Sequence, residues 1–222
     1  MKKAAEIISW VFMPLFMPMY GLLIAMYVPG ISISATIERG NMYTMYPAHK
    51  LYILLLYFVL TCLAPGFSLL ILKKNETISD IEVERKEERK WPATLTALYC
   101  LILGVFLNLN LSGGIVHDYI LALPWAGFFC SIIALAVSRF FKISLHAMGA
   151  GILFGFFICY YSLQIQYPVY ILLTVALLGG VIMSARLYLQ KHTVKEVLIG
   201  YVTGVLITVA DLTFFAGLLK NY

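Results

Sequence analysis

A histidine and a glutamate four residues apart, His192 and Glu196, open the last apolar stretch of the chain. At that spacing a carboxylate can bond one ring nitrogen along the start of a helix, which fixes the tautomer and leaves the other nitrogen as a nucleophile. Arg186 lies six residues before His192, a spacing that puts the two on different faces of a continuous helix. We therefore expect the chain to turn between them, near Gln190 and Lys191. A basic patch against anionic lipid headgroups is the alternative interpretation.

A second polar cluster precedes another apolar stretch. Ser144 stands where a helix N-cap would be, and His146 falls in the first turn. This arrangement points backbone N–H groups, a hydroxyl and an imidazole at one spot, which suits a phosphate group. The alternative is an ordinary capping serine beside a histidine at the membrane interface.

A third cluster lies in the only long charged segment of the sequence, residues 73–91. If this segment is helical, Arg85 and Arg89 lie on one face, four residues apart, and can bind one anion together. Pro92 suits a helix that begins there. Taken alone, the segment is more simply a solvated loop whose arginines and glutamates pair internally.

The elements that position these clusters are membrane helices. Of the 222 residues, 62% are hydrophobic and 12% are charged, and the mean hydropathy is +0.90. Soluble domains have about 45–50% apolar and about 25% charged residues, so this composition disfavours a water-soluble domain. We predict an all-α integral membrane protein, a single domain over residues 1–222 with about seven transmembrane helices. The apolar runs span residues 8–28, 51–72, 92–111, 119–137, 145–163, 169–183 and 194–219.

The order of runs and clusters predicts that all three clusters share one membrane face. Two runs separate each cluster from the next, and an even number of crossings returns the chain to the same side. Thirteen of the sixteen Lys and Arg residues fall on that side, the other three being Arg39, Lys50 and Lys220. By the positive-inside rule the shared face is cytosolic, and we expect the cytoplasmic membrane of a bacterium or archaeon.

The residues around Arg186, His192 and Glu196 resemble the third signature of the type 2 phosphatidic acid phosphatase superfamily, S-R-x5-H-x3-D. The stretch 143–146, Ile-Ser-Leu-His, resembles the second signature, P-S-G-H. The order of the motifs and their separation by two spans also match, over about residues 74–201.

The sequence departs from that family in several places. Ala185 replaces the serine before the arginine, and Glu196 replaces aspartate. The second signature lacks both its proline and its glycine. Arg85 and Arg89, followed by Pro92, resemble a variant of the first signature, K-x6-R-P.

The resemblance implies a six-helix phosphatase core with one extra span, and a lipid phosphate or polyprenyl diphosphate as substrate. It implies that His192 attacks phosphorus to form a phosphohistidine, while Glu196 orients the ring. His146 would protonate the departing oxygen and then activate water. No metal or organic cofactor is implied, the partners are membrane lipids, and no nucleic acid is expected. The residues that would bind the non-bridging phosphate oxygens are Ser144, Arg85, Arg89 and Arg186.

Two other functions stay open: an inactive member that binds lipid phosphates, and a small transporter or channel. Asp211 motivates the transporter, because it lies inside the last apolar run, about 22 Å along a helix from Glu196. The simpler expectation for Asp211 is a structural role, a buried hydrogen bond to another helix, for example to Asn108 or Asn110. The functional alternative is a proton or ion path. The other ionisable residues crowd one face, which favours an enzyme at the membrane surface.

A zinc site made of His146, His192 and Glu196 is the metal alternative. It is disfavoured, because the nearby arginines would repel a divalent cation and attract an anion.

Two glycine pairs have the GxxxG spacing that lets membrane helices approach closely, Gly151 with Gly155 and Gly200 with Gly204. We interpret them as packing within the fold in preference to an oligomer interface, although a homo-oligomer stays open.

Overall fold

The computed structural model describes residues 1–32, 41–80, 88, 90–111, 116–138 and 140–218. Within them, six helices are long and apolar enough to cross a membrane. A bent pair of helices, Lys2–Val11 and Pro14–Tyr27, makes a seventh when the pair is counted as one span. The prediction of an all-α protein with about seven apolar spans is confirmed. The six helices are Pro47–Lys74, Lys90–Leu111, Asp118–Val137, Leu145–Ser162, Val169–Tyr188 and Val194–Phe214.

A stretch of π-helix, Phe58–Leu63, divides the longest span. Two short strands, β1 (Ile31–Ser32) and β2 (Gln164–Gln166), pair antiparallel. The sequence did not predict this strand pair. The helices are α1 (Lys2–Val11), α2 (Met17–Tyr27), α3 (Pro47–Tyr57), α4 (Ala64–Lys74), α5 (Lys90–Leu111), α6 (Asp118–Val137), α7 (Leu145–Ser162), α8 (Val169–Tyr188) and α9 (Val194–Leu218).

A proline explains the break in the first span. α1 ends at Val11, and Met13 is extended, with φ −60° and ψ 144°, because it precedes Pro14. The two helical parts meet at 41°. The break leaves the last carbonyl groups of α1 without the N–H groups of a following helical turn.

Neighbouring helices bond to the backbone where Pro124 interrupts α6. Proline has no N–H, so the carbonyl four residues earlier loses its helical partner. The Tyr57 hydroxyl donates to that carbonyl, at Ile120, and the Asn108 amide donates to the next carbonyl along at 3.3 Å. Such contacts are what allow a proline inside a membrane helix.

Asp211 belongs to the same region. It is 7% exposed and lies near Ala126, two residues beyond the proline. Neither Asn108 nor Asn110 makes the hydrogen bond to Asp211 that the sequence suggested. Both asparagine amides donate to carbonyls four residues earlier on their own helix.

α7 is the central helix of the bundle, since 78% of its apolar window is buried against 28–50% for the other five spans. α9 lies so close to α7 that the glycine positions between them have no room for a side chain. A Cβ on Gly151 would overlap the carbonyl oxygen of Tyr201, and a Cβ on Gly204 would overlap that of Met148. The prediction that the GxxxG glycines pack within the fold is confirmed.

α7 and α9 run parallel. Gly200 lies against Ser144, and one turn further on Gly204 lies against Met148, so the contacts advance in the same direction along both helices. The backbone N–H of Ser144 donates to Glu196 O at 3.2 Å. The close packing therefore brings the starts of the two helices, where the second and third polar clusters lie, to one end of the bundle.

Candidate active site

A cleft of about 150 Å³ lies at the end of the bundle where α7 and α9 begin. His146, Arg186 and His192 line it together, so the second and third clusters meet, as predicted. The first residues of α5 line it as well, which brings the end of the charged segment to the same place. Arg85 and Arg89 themselves lie outside the described residues.

The turn between Arg186 and His192 is a Schellman motif at the end of α8. Gln190 N–H donates to Leu187 O at 2.9 Å. Lys191 N–H donates to Arg186 O at 3.1 Å, and Gln190 adopts the left-handed conformation at φ 55°. The predicted turn near Gln190 and Lys191 is confirmed. It reverses the chain over six residues, so that Arg186 and His192 reach the same cleft.

His192, Thr193 and Glu196 form a hydrogen-bond network at the start of α9. His192 Nδ1 lies 3.0 Å from Glu196 Oε2, as the spacing predicts. The same oxygen accepts from Thr193 N–H at 3.0 Å, and Glu196 N–H reaches Thr193 Oγ1 at 3.4 Å, which together make a capping box. The sequence carries the signal for this box, a threonine three residues before a glutamate, but the sequence interpretation missed Thr193.

The contact with Glu196 determines which nitrogen of His192 holds the lone pair. A carboxylate only accepts hydrogen bonds, so Nδ1 carries the proton and Nε2 the lone pair. The His192 side chain is 3% exposed and that of Glu196 is 14% exposed, so the bond is shielded from water. A nucleophilic imidazole requires this division between its two nitrogens.

His146 has its proton on the other ring nitrogen. Its Nε2 lies 3.1 Å from the carbonyl oxygen of Ser9, and a carbonyl has no proton to give, so Nε2 donates. Ser9 O is one of the last carbonyls of α1, left over where the chain breaks before Pro14. No sequence pattern indicates this contact, because the two residues are 137 positions apart.

Ser144 is the N-cap of α7, as its position predicts. Its Oγ accepts from Ala147 N–H at 3.4 Å. The residue is completely buried and does not line the cleft. The geometry gives Ser144 a capping role, and its binding of a phosphate oxygen stays a prediction.

Arg186 adds a positive charge to the cleft. It lies in the last turn of α8 and is 3% exposed. A guanidinium is always charged in proteins, and a charge shielded from water attracts an anion more strongly than an exposed one. The cleft therefore has one end at which an anion is favoured.

The remaining walls of the cleft are mostly apolar. They come from the bend between α1 and α2, from the π-helical stretch Phe58–Leu63 and α4, and from α5, α6 and α7. Hydroxyl groups lie among them at Thr61, Thr96 and Ser131. The inner end reaches Cys100 of α5, about 15 Å along the axis from the start of that helix. The cleft thus extends about half-way across a hydrocarbon layer of about 30 Å.

Among the described residues, no three side chains of His, Cys, Asp or Glu are grouped so that they could hold a metal ion. The zinc set considered from the sequence, His146 with His192 and Glu196, is therefore not assembled there.

No protein-family model, no curated protein and no solved structure matches this chain. The resemblance to the phosphatase superfamily accordingly rests on the motif residues alone. Independently of it, the geometry puts two imidazoles and a guanidinium at the polar end of an apolar cleft.

Proposed function

We propose that this protein removes phosphate from a lipid phosphate or polyprenyl diphosphate through a phosphohistidine on His192. The observation that carries the proposal is the cleft: His146, Arg186 and His192 meet at one end, and the rest of its wall is mostly apolar. Such a site can hold a charged phosphate group at the membrane surface while the hydrocarbon part of the same molecule lies among apolar side chains.

The first step is attack by His192 on phosphorus. The Nε2 lone pair forms the N–P bond, while the bond from phosphorus to the lipid oxygen breaks and its electron pair stays on that oxygen. The ring gains positive charge as the bond forms, and the Glu196 carboxylate on Nδ1–H stabilises that charge. Arg186 binds the non-bridging oxygens, and Arg85 and Arg89 are the further candidates for this role.

As the general acid, His146 is in its imidazolium form with a proton on each ring nitrogen. It gives the Nε2 proton to the departing oxygen and becomes a neutral imidazole. In the structure this proton is directed at the Ser9 carbonyl, so the imidazole exchanges that carbonyl for the lipid oxygen when substrate is bound. In the second step His146 removes a proton from water, the resulting hydroxide attacks the phosphohistidine, and the N–P electron pair returns to His192 as inorganic phosphate leaves.

The test is phosphate release by the purified protein in detergent. The panel comprises phosphatidic acid, phosphatidylglycerol phosphate and undecaprenyl pyrophosphate, each with and without a chelator. We expect release from at least one of them, insensitivity to the chelator, inhibition by vanadate and loss of activity in His192→Ala. Lys195→Met, which removes an exposed cation from the same turn, is the matched control.

Binding of the lipids without any release would show an inactive lipid-phosphate binder instead. Loss of activity in the chelator, restored by zinc or magnesium, would contradict the mechanism.

The proposal also puts the cleft end of the bundle in the cytosol, because that end carries most of the basic residues. Single cysteines made by Asn75→Cys and Gln190→Cys, in a background without the native four, test this. Both positions are exposed, so an impermeant thiol reagent should label them only after the cells are opened. Labelling of both in intact cells would reverse the orientation, and labelling of only one would contradict a shared face.

A further inference from the structure

Lys142 has no part in the proposed chemistry, yet it contacts the turn that carries His192. Its Nζ donates to the carbonyl oxygen of Lys191 at 2.8 Å. The side chain is half-buried, in the short extended stretch that leads into α7. This contact joins two segments 49 positions apart.

The carbonyl that Lys142 holds belongs to the peptide group between Lys191 and His192. A peptide group is planar, so a bond that fixes its oxygen also fixes its N–H and its orientation. On the other side of the same residue, Lys191 N–H donates to Arg186 O. Lys191 is thus held through both of its backbone polar groups, immediately before His192.

The stretch before α7 contacts the His192 region at a second point. Ser144 N–H donates to Glu196 O at 3.2 Å, and the Glu196 side chain holds His192 Nδ1. The ring is therefore anchored by Glu196, and the backbone just before it by Lys142. Removing Lys142 releases the oxygen of the peptide group before His192, and removing the Glu196 carboxylate releases the ring.

We propose that Lys142 is a positioning residue, whose ammonium holds the peptide group before His192 so that Nε2 of the ring faces the cleft. The inference rests on the proposed function, because it takes His192 as the nucleophile. A lysine suits this place, since it bonds a carbonyl just beyond the end of α8, where the helix dipole is negative. Its charge also lies near the cleft, so the test must separate the hydrogen bond from the charge.

The test begins with Lys142→Met, which keeps the length of the side chain but has no donor, and Lys142→Arg, which keeps both charge and donors. A small displacement of a reacting group costs about 10²-fold in rate. We expect Lys142→Met to lower kcat for phosphate release by about 10- to 100-fold, with KM changed far less, and Lys142→Arg to retain most of the activity. Lys195→Met is the control for loss of one exposed cation near the site.

Chemical rescue separates the hydrogen bond from the charge. Lys142→Cys alkylated with 2-bromoethylammonium regains a side chain of lysine length with N–H donors. Alkylation with (2-bromoethyl)trimethylammonium restores the charge without donors. The native cysteines are all buried, and wild-type protein treated with the same reagents controls for their reaction. We expect the first reagent to restore kcat and the second not to. Equal rescue by both, or a wild-type kcat in Lys142→Met, would overturn the inference.

Hydrogen exchange of the backbone amides of residues 189–194 distinguishes failure of this inference from failure of the proposed function. These amides should exchange faster in Lys142→Met than in wild-type protein and at the wild-type rate in Lys142→Arg and Lys195→Met. If wild-type protein releases no phosphate but this pattern is found, the proposed function fails and the positioning by Lys142 stands. Unchanged exchange in Lys142→Met would overturn the positioning, whatever the activity.

Discussion

The bundle buries a cation near each of its two ends, and the two are used differently. Arg186 at the cleft end is 3% exposed and Lys50 at the opposite end is 7% exposed. Lys50 Nζ donates to Met26 O and Tyr43 O, at 2.7 Å each, and lies about 5 Å from the rings of Tyr27 and Tyr43. Arg186 lines a cleft beside two imidazoles.

The polar groups around Lys50 are also bonded to one another. Tyr160, at the far end of α7, donates to Asn41 Oδ1 at 3.1 Å, and Met42 N–H donates to the Tyr160 hydroxyl at 3.1 Å. None of these residues lines the cleft. Burial of a charge or of a polar network therefore does not by itself indicate a site. The cleft that reaches Arg186 is what distinguishes its end of the bundle from the end at Lys50.

The largest effect is expected from separating the two helices that bring the histidines together. In Gly204→Ala the new methyl group overlaps the Met148 carbonyl, so α9 must move away from α7. We expect kcat for phosphate release to fall by about 10²-fold and the free energy of unfolding to fall by about 1–3 kcal/mol. Activity and thermal unfolding in detergent measure the two effects.

Gly180→Ala is the matched control, because a Cβ on Gly180 meets nothing within 4 Å. It should leave both quantities near the wild-type values. A folded Gly204→Ala protein with wild-type kcat would contradict the account of how the site is assembled.

A substitution at the opposite end of the bundle, at Lys50, should lower stability and leave activity unchanged. Lys50→Met leaves the buried Met26 carbonyl and the partly buried Tyr43 carbonyl without their donor, which costs about 1–3 kcal/mol of unfolding free energy. We expect a lower unfolding temperature and a kcat within about twofold of wild type. Thermal unfolding in detergent and phosphate release check this on one preparation. A large fall in kcat without a fall in stability would show that the two ends are not independent.

Local features of the site could be predicted from the sequence. The His192–Glu196 bond, the Ser144 cap and the turn near Gln190 each depend on residues within a few positions of one another, and helix geometry alone brings such residues together. The apolar runs likewise identified the spans, because membrane helices need about 20 apolar residues.

Contacts between distant segments could not be predicted. Ser9 bonds His146 through a backbone carbonyl that is available only because α1 breaks before Pro14, and no side-chain type signals such a group. The contact of Lys142 with Lys191 depends on how closely α7 and α9 pack. Asp211 had a visible signal, a carboxyl inside an apolar run, but the asparagine amides expected to bond it donate to backbone carbonyls.

The smallest effect concerns the turn before His192. Gln190 adopts φ 55°, which costs a side-chain-bearing residue about 1 kcal/mol and costs glycine almost nothing. Glycine loses more backbone entropy on folding, so Gln190→Gly should raise the unfolding free energy by only about 0.5 kcal/mol. Gln190→Ala, which keeps the strain, should give no gain. A clear loss of stability in Gln190→Gly, measured by thermal unfolding, would contradict this account of the turn.

In the proposed mechanism His192 forms a bond to phosphorus and His146 transfers protons. Trapping the phosphohistidine tests this division of roles between the two histidines. A pyrophosphate or aryl phosphate departs with little need of a proton, so His146→Ala can still phosphorylate His192 but cannot activate water. With radiolabelled phosphate in such a substrate, we expect an acid-labile, base-stable label to accumulate on His146→Ala and to be absent from the double variant His146→Ala, His192→Ala. Label that persists in the double variant, or full activity in His192→Ala, would show that the nucleophile is another residue.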